Sequence, residues 1–228
     1  MRVSKFSNIG EKSVLADVIL GGQDGLVNVL SVILGVSAAS NNIKIIIAGG
    51  LATTFAESIS VGAVALTSKL AERDYYNSEL TREKRAIKKV PQKEIGKIRS
   101  LFEDKGLEGE VLENVVKTIT SNNKLWLDTL MEEGLKLEEV KSSEIYFGSL
   151  IVLISALIGS FVPLVPYLII GLEAFWWSLG LSAITLLLIG IYKAKVTIGN
   201  PAKSGVQMVI IGIGVALVGY LIGRIFGA

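Results

Sequence analysis

Long apolar runs along this chain are interrupted by one extended stretch in which charged residues predominate. Five runs, at 14–39, 43–68, 145–170, 174–192 and 206–226, reach about the 20 mostly apolar residues that a membrane-crossing helix needs. The third ends in Pro163 and Pro166, and the fourth follows a very short turn near Gly171. Between runs two and three the pattern changes to short amphipathic segments. Run two continues as a polar helix over 69–89 and stops at Val90-Pro91, because the residue before proline is pushed out of the helical region. Helices are predicted at 92–104, 108–120 and 123–140. Within them Val111, Leu112, Val115, Val116 and Ile119, then Leu125, Trp126, Leu130 and Leu137, recur at helical spacing. The pattern predicts an all-α integral membrane protein with five transmembrane helices and a cytosolic helical insert between spans two and three. The predicted divisions are 1–68 (leader and spans one and two), 69–144 (insert) and 145–228 (spans three to five).

Composition sharpens this picture. Half of the 228 residues are hydrophobic and the mean hydropathy is +0.55. Residues 69–144 hold 15 of the 23 Lys+Arg and 16 of the 21 Asp+Glu, which is the segregation expected of a membrane body with one water-soluble insert. Since the basic residues are matched locally by acids, the net charge of +2 gives no footprint for nucleic acid. The chain has no Cys and no His, so disulfides, zinc fingers and Cys/His nucleophiles are excluded. Side-chain metal ligands are confined to oxygens and the three methionines, a set that suits Mn²⁺, Fe²⁺ or Mg²⁺, and no permanently bound cofactor is expected. The first dozen residues, with Arg2, Lys5, Glu11 and Lys12, read as a polar or interfacial leader rather than a cleavable signal peptide. The leader, the insert and the loop with Lys193, Lys195 and Lys203 carry most of the basic residues. The positive-inside rule therefore places the amino terminus and the insert in the cytosol and the carboxyl terminus on the far side.

Of the acids inside the apolar runs, Asp24 and Glu57 carry the most information. Asp24 lies about ten residues into span one, roughly 10–15 Å below the membrane surface at ~1.5 Å per residue, where an ionised carboxylate costs at least ~2.5 kcal/mol. Asn28 and Ser31 follow at i+4 and i+7, and Gly21, Gly22 and Gly25 surround the site. Glu57 lies mid-way along span two, with Thr53 one turn before it and Ser60 three residues after. Facing polar stripes would line a cation route with oxygen, and such carboxylates exchange protons as metal comes and goes. Each acid is also compatible with a plain helix–helix or protomer contact. In the insert, Glu72, Glu79 and Glu83 form one stripe at i, i+7 and i+11, and Glu94, Glu103, Glu132 and Glu133 lie on later helices beside Met131. These fit either metal ligands or a solvated helix face.

Several ordered pieces resemble the vacuolar iron transporter family over nearly the whole chain. They are Gln23-Asp24-Gly25-Leu26-Val27, Ile59-Ser60-Val61-Gly62, Ala71-Glu72-Arg73-Asp74-Tyr75-Tyr76 with Glu79-Leu80-Thr81-Arg82-Glu83, Val90-Pro91 with Glu94, Trp126 with Met131, Phe161-Val162-Pro163-Leu164-Val165-Pro166-Tyr167, Lys203-Ser204-Gly205-Val206-Gln207 and Leu221-Ile222-Gly223-Arg224. The resemblance implies a homodimer of five-span protomers that exchanges cytosolic Fe²⁺ or Mn²⁺ for protons. It implies that Asp24 is the translocation-path aspartate and that Glu72, Glu83 and Glu94 match insert acids. The chain also departs from the pattern. Val61 replaces a path methionine, and Thr53 stands where a span-two glutamate is usual, with Glu57 one turn on. Ala86 and Lys97 replace two insert acids, and Leu130-Met131-Glu132-Glu133-Gly134 leaves only Met131 and Glu133 of a Met-Met-x-x-Glu pattern.

The expected function is proton-coupled export of Fe²⁺ or Mn²⁺ from the cytosol, not enzymatic catalysis. Asp24, Glu57, Asn28 and Ser60 are expected on the path, and Glu72, Glu83, Glu94, Met131 and Glu133 in the insert. Lipid, the metal ion, protons and a second copy are the expected partners, in a prokaryotic plasma membrane or an organelle membrane. The competing reading is a membrane-anchored metal sensor or scaffold in which nothing is translocated.

Overall fold

The computed structural model describes residues 7–197 and 199–227, and all regular structure among them is helical. The long helices are α1 (Ser7–Ala39), α2 (Ile43–Lys89), α6 (Ser142–Ile170), α7 (Phe175–Val196) and α8 (Pro201–Phe226). Between α2 and α6 lie α3 (Pro91–Glu103), α4 (Gly109–Thr120) and α5 (Asn123–Thr129). Four helical stretches among the described residues are long and apolar enough to cross a membrane: Val14–Ala39, Ile43–Lys89, Ser142–Val196 and Pro201–Phe226. The third, at 55 residues, comprises α6, a 3₁₀ turn at Gly171–Ala174, and α7. The turn opens on Gly171 at φ +79°, a left-handed conformation that glycine adopts without a Cβ clash. Ser178 Oγ then donates to the carbonyl of Pro163, fifteen residues earlier, at 2.7 Å. Fifteen residues of straight helix would span about 22 Å, so α7 folds back along α6.

Helix ends follow local chemistry. Asn42 accepts from the amide of Lys44 before α2, Asn122 from those of Lys124 and Leu125 at the start of α5, and Asn200 from that of Lys203 at the start of α8. Each satisfies amides that have no partner inside the helix. Pro91 and Pro201 each open a helix, where the missing N–H costs nothing. Two expectations change. Helix α1 starts at Ser7 rather than at the apolar boundary near residue 14, since no proline intervenes; Arg2 and Lys5 of the leader lie outside the described residues. The helix expected over 123–140 ends early, in a π-helical turn at Leu130–Gly134. Lys136 follows at φ 55°, and no regular helix resumes before Ser142.

The chain divides into two compact units, Met1–Leu66 with Tyr146–Ala228, and Thr67–Ile145. In the first, α1 is central. Val29 and Ile33 pack with Ile46 of α2 and with Leu164 and Tyr167 of α6. Leu26 and Val27 pack with Leu186 of α7 and Met208 of α8, and Leu30 and Leu34 pack with Ala216. Glycine sets the closest approaches: a Cβ on Gly159 of α6 would meet the backbone of Gly22, and one on Gly223 of α8 would meet that of Gly35. Such small residues let helices approach where lipid supplies no hydrophobic drive. The outward faces remain apolar and exposed in the single chain, with Ile169, Trp176, Trp177, Ile210 and Ile225 among them.

The second unit has its own core, in which Ile98 of α3, Leu112, Val116 and Ile119 of α4, Trp126 of α5 and Leu130 meet. Ile87 of α2 and Phe102 pack against it. Of the periodic positions expected to face inward, Val111 and Leu125 are exposed instead. The apolar stripe of α4 is one residue narrower than the sequence offers, running at i, i+3, i+4 and i+7 from Leu112 with Val115 partly buried.

Candidate functional site

Asp24 and Asn28 lie one turn apart on the central helix α1, and Glu57 lies on α2. Asn28 Nδ2 donates to Glu57 Oε1 at 2.7 Å, and the Asp24 carboxyl lies close enough to Glu57 and Asn28 to interact with both. All three side chains are half-buried. Two acids from separate apolar helices thus meet beside one amide, whose Oδ1 is a further neutral oxygen. The remaining polar residues of the two stripes go elsewhere. Ser31 Oγ donates to the carbonyl of Val215 on α8, so it faces away from α2. Ser60 is exposed on the outward side of α2. Thr53 donates to Gly49, Thr54 to Gly50 and Ser58 to Thr54, the back-bonding by which hydroxyls are satisfied within a helix.

Sequence reasoning passed over Asp17. It lies two turns before Asp24 at i−7, on the same side of α1, and its side chain is buried. It lies among apolar residues, Val14-Leu15-Ala16 before it and Val18-Ile19-Leu20 after it, near the start of the first apolar run. The signal was the seven-residue spacing to Asp24.

In the second unit, Glu83 of α2 and Glu94 of α3 are almost fully buried, and both meet Lys97 of α3. Lys97 Nζ lies 3.0 Å from Glu83 Oε2 and 2.7 Å from Glu94 Oε2; the contact with Glu94 is an ion pair of poor hydrogen-bond geometry. Arg82 lies 2.6 Å from Glu79 and 3.4 Å from Glu83. Burial by itself would raise the Glu83 carboxyl, but hydrogen bonds with Lys97, Glu94 and Arg82 outweigh it and hold the group below the ordinary value. Burial likewise pulls the Lys97 ammonium down, and its contacts with Glu94 and Glu83 more than reverse this. The other candidates are placed differently. Glu72 is exposed, Met131 is buried, and Glu133 pairs with Lys105. Among the described residues no three Asp or Glu side chains converge in metal-binding geometry. Tyr76 is shifted upward by burial and by the nearby charges of Glu139, Asp128 and Glu132, which marks an acidic surface beside it.

Comparison with known proteins follows the same outline. The family model of the VIT family matches residues 15–224. The chain is 34% identical over 201 residues to vacuolar iron transporter 1 of Oryza sativa subsp. japonica, covering 87% of this chain and 80% of that protein. It is 32% identical over 201 residues to vacuolar iron transporter 1 of Tulipa gesneriana, covering 87% and 81%. It is 28% identical over 211 residues to Protein CCC1 of Saccharomyces cerevisiae, covering 87% and 65%. A match that runs from the first apolar helix to the last, taking in the Asp24, Glu57 and Glu83 segments on the way, places the chain in the VIT family.

Proposed function

We propose that the chain is a proton-coupled transporter that exports Fe²⁺ or Mn²⁺ from the cytosol, with Asp24, Asn28 and Glu57 as its intramembrane station. The observation that carries this is the meeting of two acids from separate apolar helices beside one amide that donates to Glu57. Ionisable groups at such depth are expensive and mark ion pathways by default. Two carboxylates are neutral overall when they hold one divalent ion or two protons. Exchange between these loads never leaves a net charge in a low-dielectric setting, where it would be most costly. An all-oxygen ligand set suits Mn²⁺ and Fe²⁺, and the names of the relatives favour iron. Transport would alternate exposure of the station between the two sides, with Asp17 offering a further carboxylate two turns along the same helix.

The reversal at Gly171 supports counting α6 and α7 as separate crossings, which gives five. Exposed Trp176 and Trp177 at the start of α7 fit an aromatic belt at the far interface, and Lys193 and Lys195 at its end fit the cytosolic side. The same rule keeps the amino terminus and the insert cytosolic and the carboxyl terminus on the far side, in an organelle membrane or a prokaryotic plasma membrane. The exposed stripe of α2 through Ala52, Phe55, Ala56, Ile59 and Ser60 is suited to a second copy, as a homodimer requires. The sensor reading needs metal on the insert, and there Glu83 and Glu94 are already engaged by Lys97. Metal uptake into proteoliposomes against an opposing pH gradient tests the proposal. Asp24→Asn and Glu57→Gln should each abolish flux, and full flux in both variants would refute the route.

A further inference from the structure

The unit formed by Thr67–Ile145 holds two carboxylates that meet at one point from different helices. Glu83 and Glu94 have side chains only 3% and 2% exposed, and a pair buried this deeply needs a cation. The cation present is the ammonium of Lys97, which contacts both acids and also lies 3.3 Å from Glu83 Oε1. Lys97 sits three residues after Glu94 on the same helix, so it is held at high effective concentration and no outside ion meets it on equal terms. The site is not sealed. Lys97 is 42% exposed, and with Arg82, Glu83, Leu101 and Leu130 it lines a cavity of about 560 Å³ that gives a hydrated ion access. An entering divalent ion would have to break both ion pairs while the displaced ammonium, and the Arg82 guanidinium beside Glu83, stayed close by. In return it would gain two carboxylates, with water completing the roughly six oxygens that divalent ions of this size take.

We propose that Lys97 is a tethered counterion that keeps the Glu83–Glu94 pair closed to divalent metal, so that the ion reaches the Asp24–Glu57 station without first being stored in this unit. Naming the excluded ion as a transported divalent metal rests on the function proposed above; the occupancy of the pair by Lys97 does not. The test is Mn²⁺ binding to the purified full-length protein in lipid nanodiscs at neutral pH, followed by electron paramagnetic resonance. The wild-type isotherm should not change, within twofold, on Glu94→Gln or Glu83→Gln. Lys97→Gln should add a site at least tenfold tighter than any the wild type shows at this pair, and Lys97→Gln/Glu94→Gln should remove it again. Lys97→Arg, which keeps the cation, should add nothing. A wild-type site that is lost on Glu94→Gln, or no new site in folded Lys97→Gln, overturns the proposal. If Lys97→Gln does not fold, the comparison of wild type with Glu94→Gln decides alone. Flux is not part of this readout, so failure here leaves the transport assay to be judged separately.

Discussion

Replacing Asn28 by Leu isolates the contribution of the amide beside the two intramembrane acids. The side chains are close in volume, so packing on α1 is nearly kept while the 2.7 Å donor to Glu57 is lost. A hydrogen bond to a charged group is worth about 1.5–3 kcal/mol net. That corresponds to roughly a 10- to 150-fold change in any equilibrium that depends on it. Glu57 would then be a half-buried carboxylate without its amide donor, held near Asp24 only by their direct contact, and the fraction of molecules with both acids in place would fall by up to that factor. The assay is the initial rate of Fe²⁺ or Mn²⁺ uptake into proteoliposomes at matched protein density, with thermal melting of the same preparation as the folding control. The expected result is at least a tenfold loss of rate with an intact melting transition, and partial recovery in Asn28→Gln, which keeps the amide on a longer arm. A folded Asn28→Leu variant within twofold of wild type would refute the idea that this amide organises the station.

Other outcomes follow from packing and charge. Gly159→Ala should disrupt the α1–α6 approach, because its Cβ would enter the backbone of Gly22, whereas Gly180→Ala, with open space around it, should leave the melting temperature in detergent unchanged. Ile98→Ala should destabilise the Thr67–Ile145 unit by about 2–5 kcal/mol, since Ile98 is fully buried in that unit's core; limited proteolysis within 90–141 should speed up accordingly. The Glu83 carboxyl is held below its ordinary value in the folded chain, so the stability it contributes is complete above its unfolded value near 4.5 and is lost as pH falls through the folded value. The melting-temperature gap between wild type and Glu83→Gln should therefore be widest at neutral pH and close in acid; a gap that widened in acid would contradict the ion-pair account.

The long helices were legible because each apolar run is long enough to declare itself without help from any partner. The Val90-Pro91 break was legible for a similar reason, since proline acts on its own neighbour. What depends on two elements meeting was not. Asp24 and Glu57 could be named as isolated acids, but their meeting beside Asn28 is a tertiary fact, as is the turning of Ser31 toward α8. The end of the last insert helix was missed because the π turn at Leu130–Gly134 keeps helical-looking apolar spacing while changing the backbone. Lys97 was visible as a basic residue in an acid's place; that its ammonium takes up the two carboxylates follows only from the approach of α3 to α2.

The central helix α1 is held by backbone-close glycine contacts toward α6 on one side and α8 on the other. A helix pinned in this way on two flanks behaves as a stator. Rotation or sliding of even one residue would drive a neighbouring carbonyl into space that only hydrogen atoms now fill. Its contact with α2 includes larger and more compliant side chains, Val29 and Ile33 against Ile46, and the polar contacts of Asn28 and Asp24 with Glu57. If the unit has a moving part, the seam between α1 and α2 is where it can yield, and the acid carried by α2 would move while the acid on α1 stays fixed.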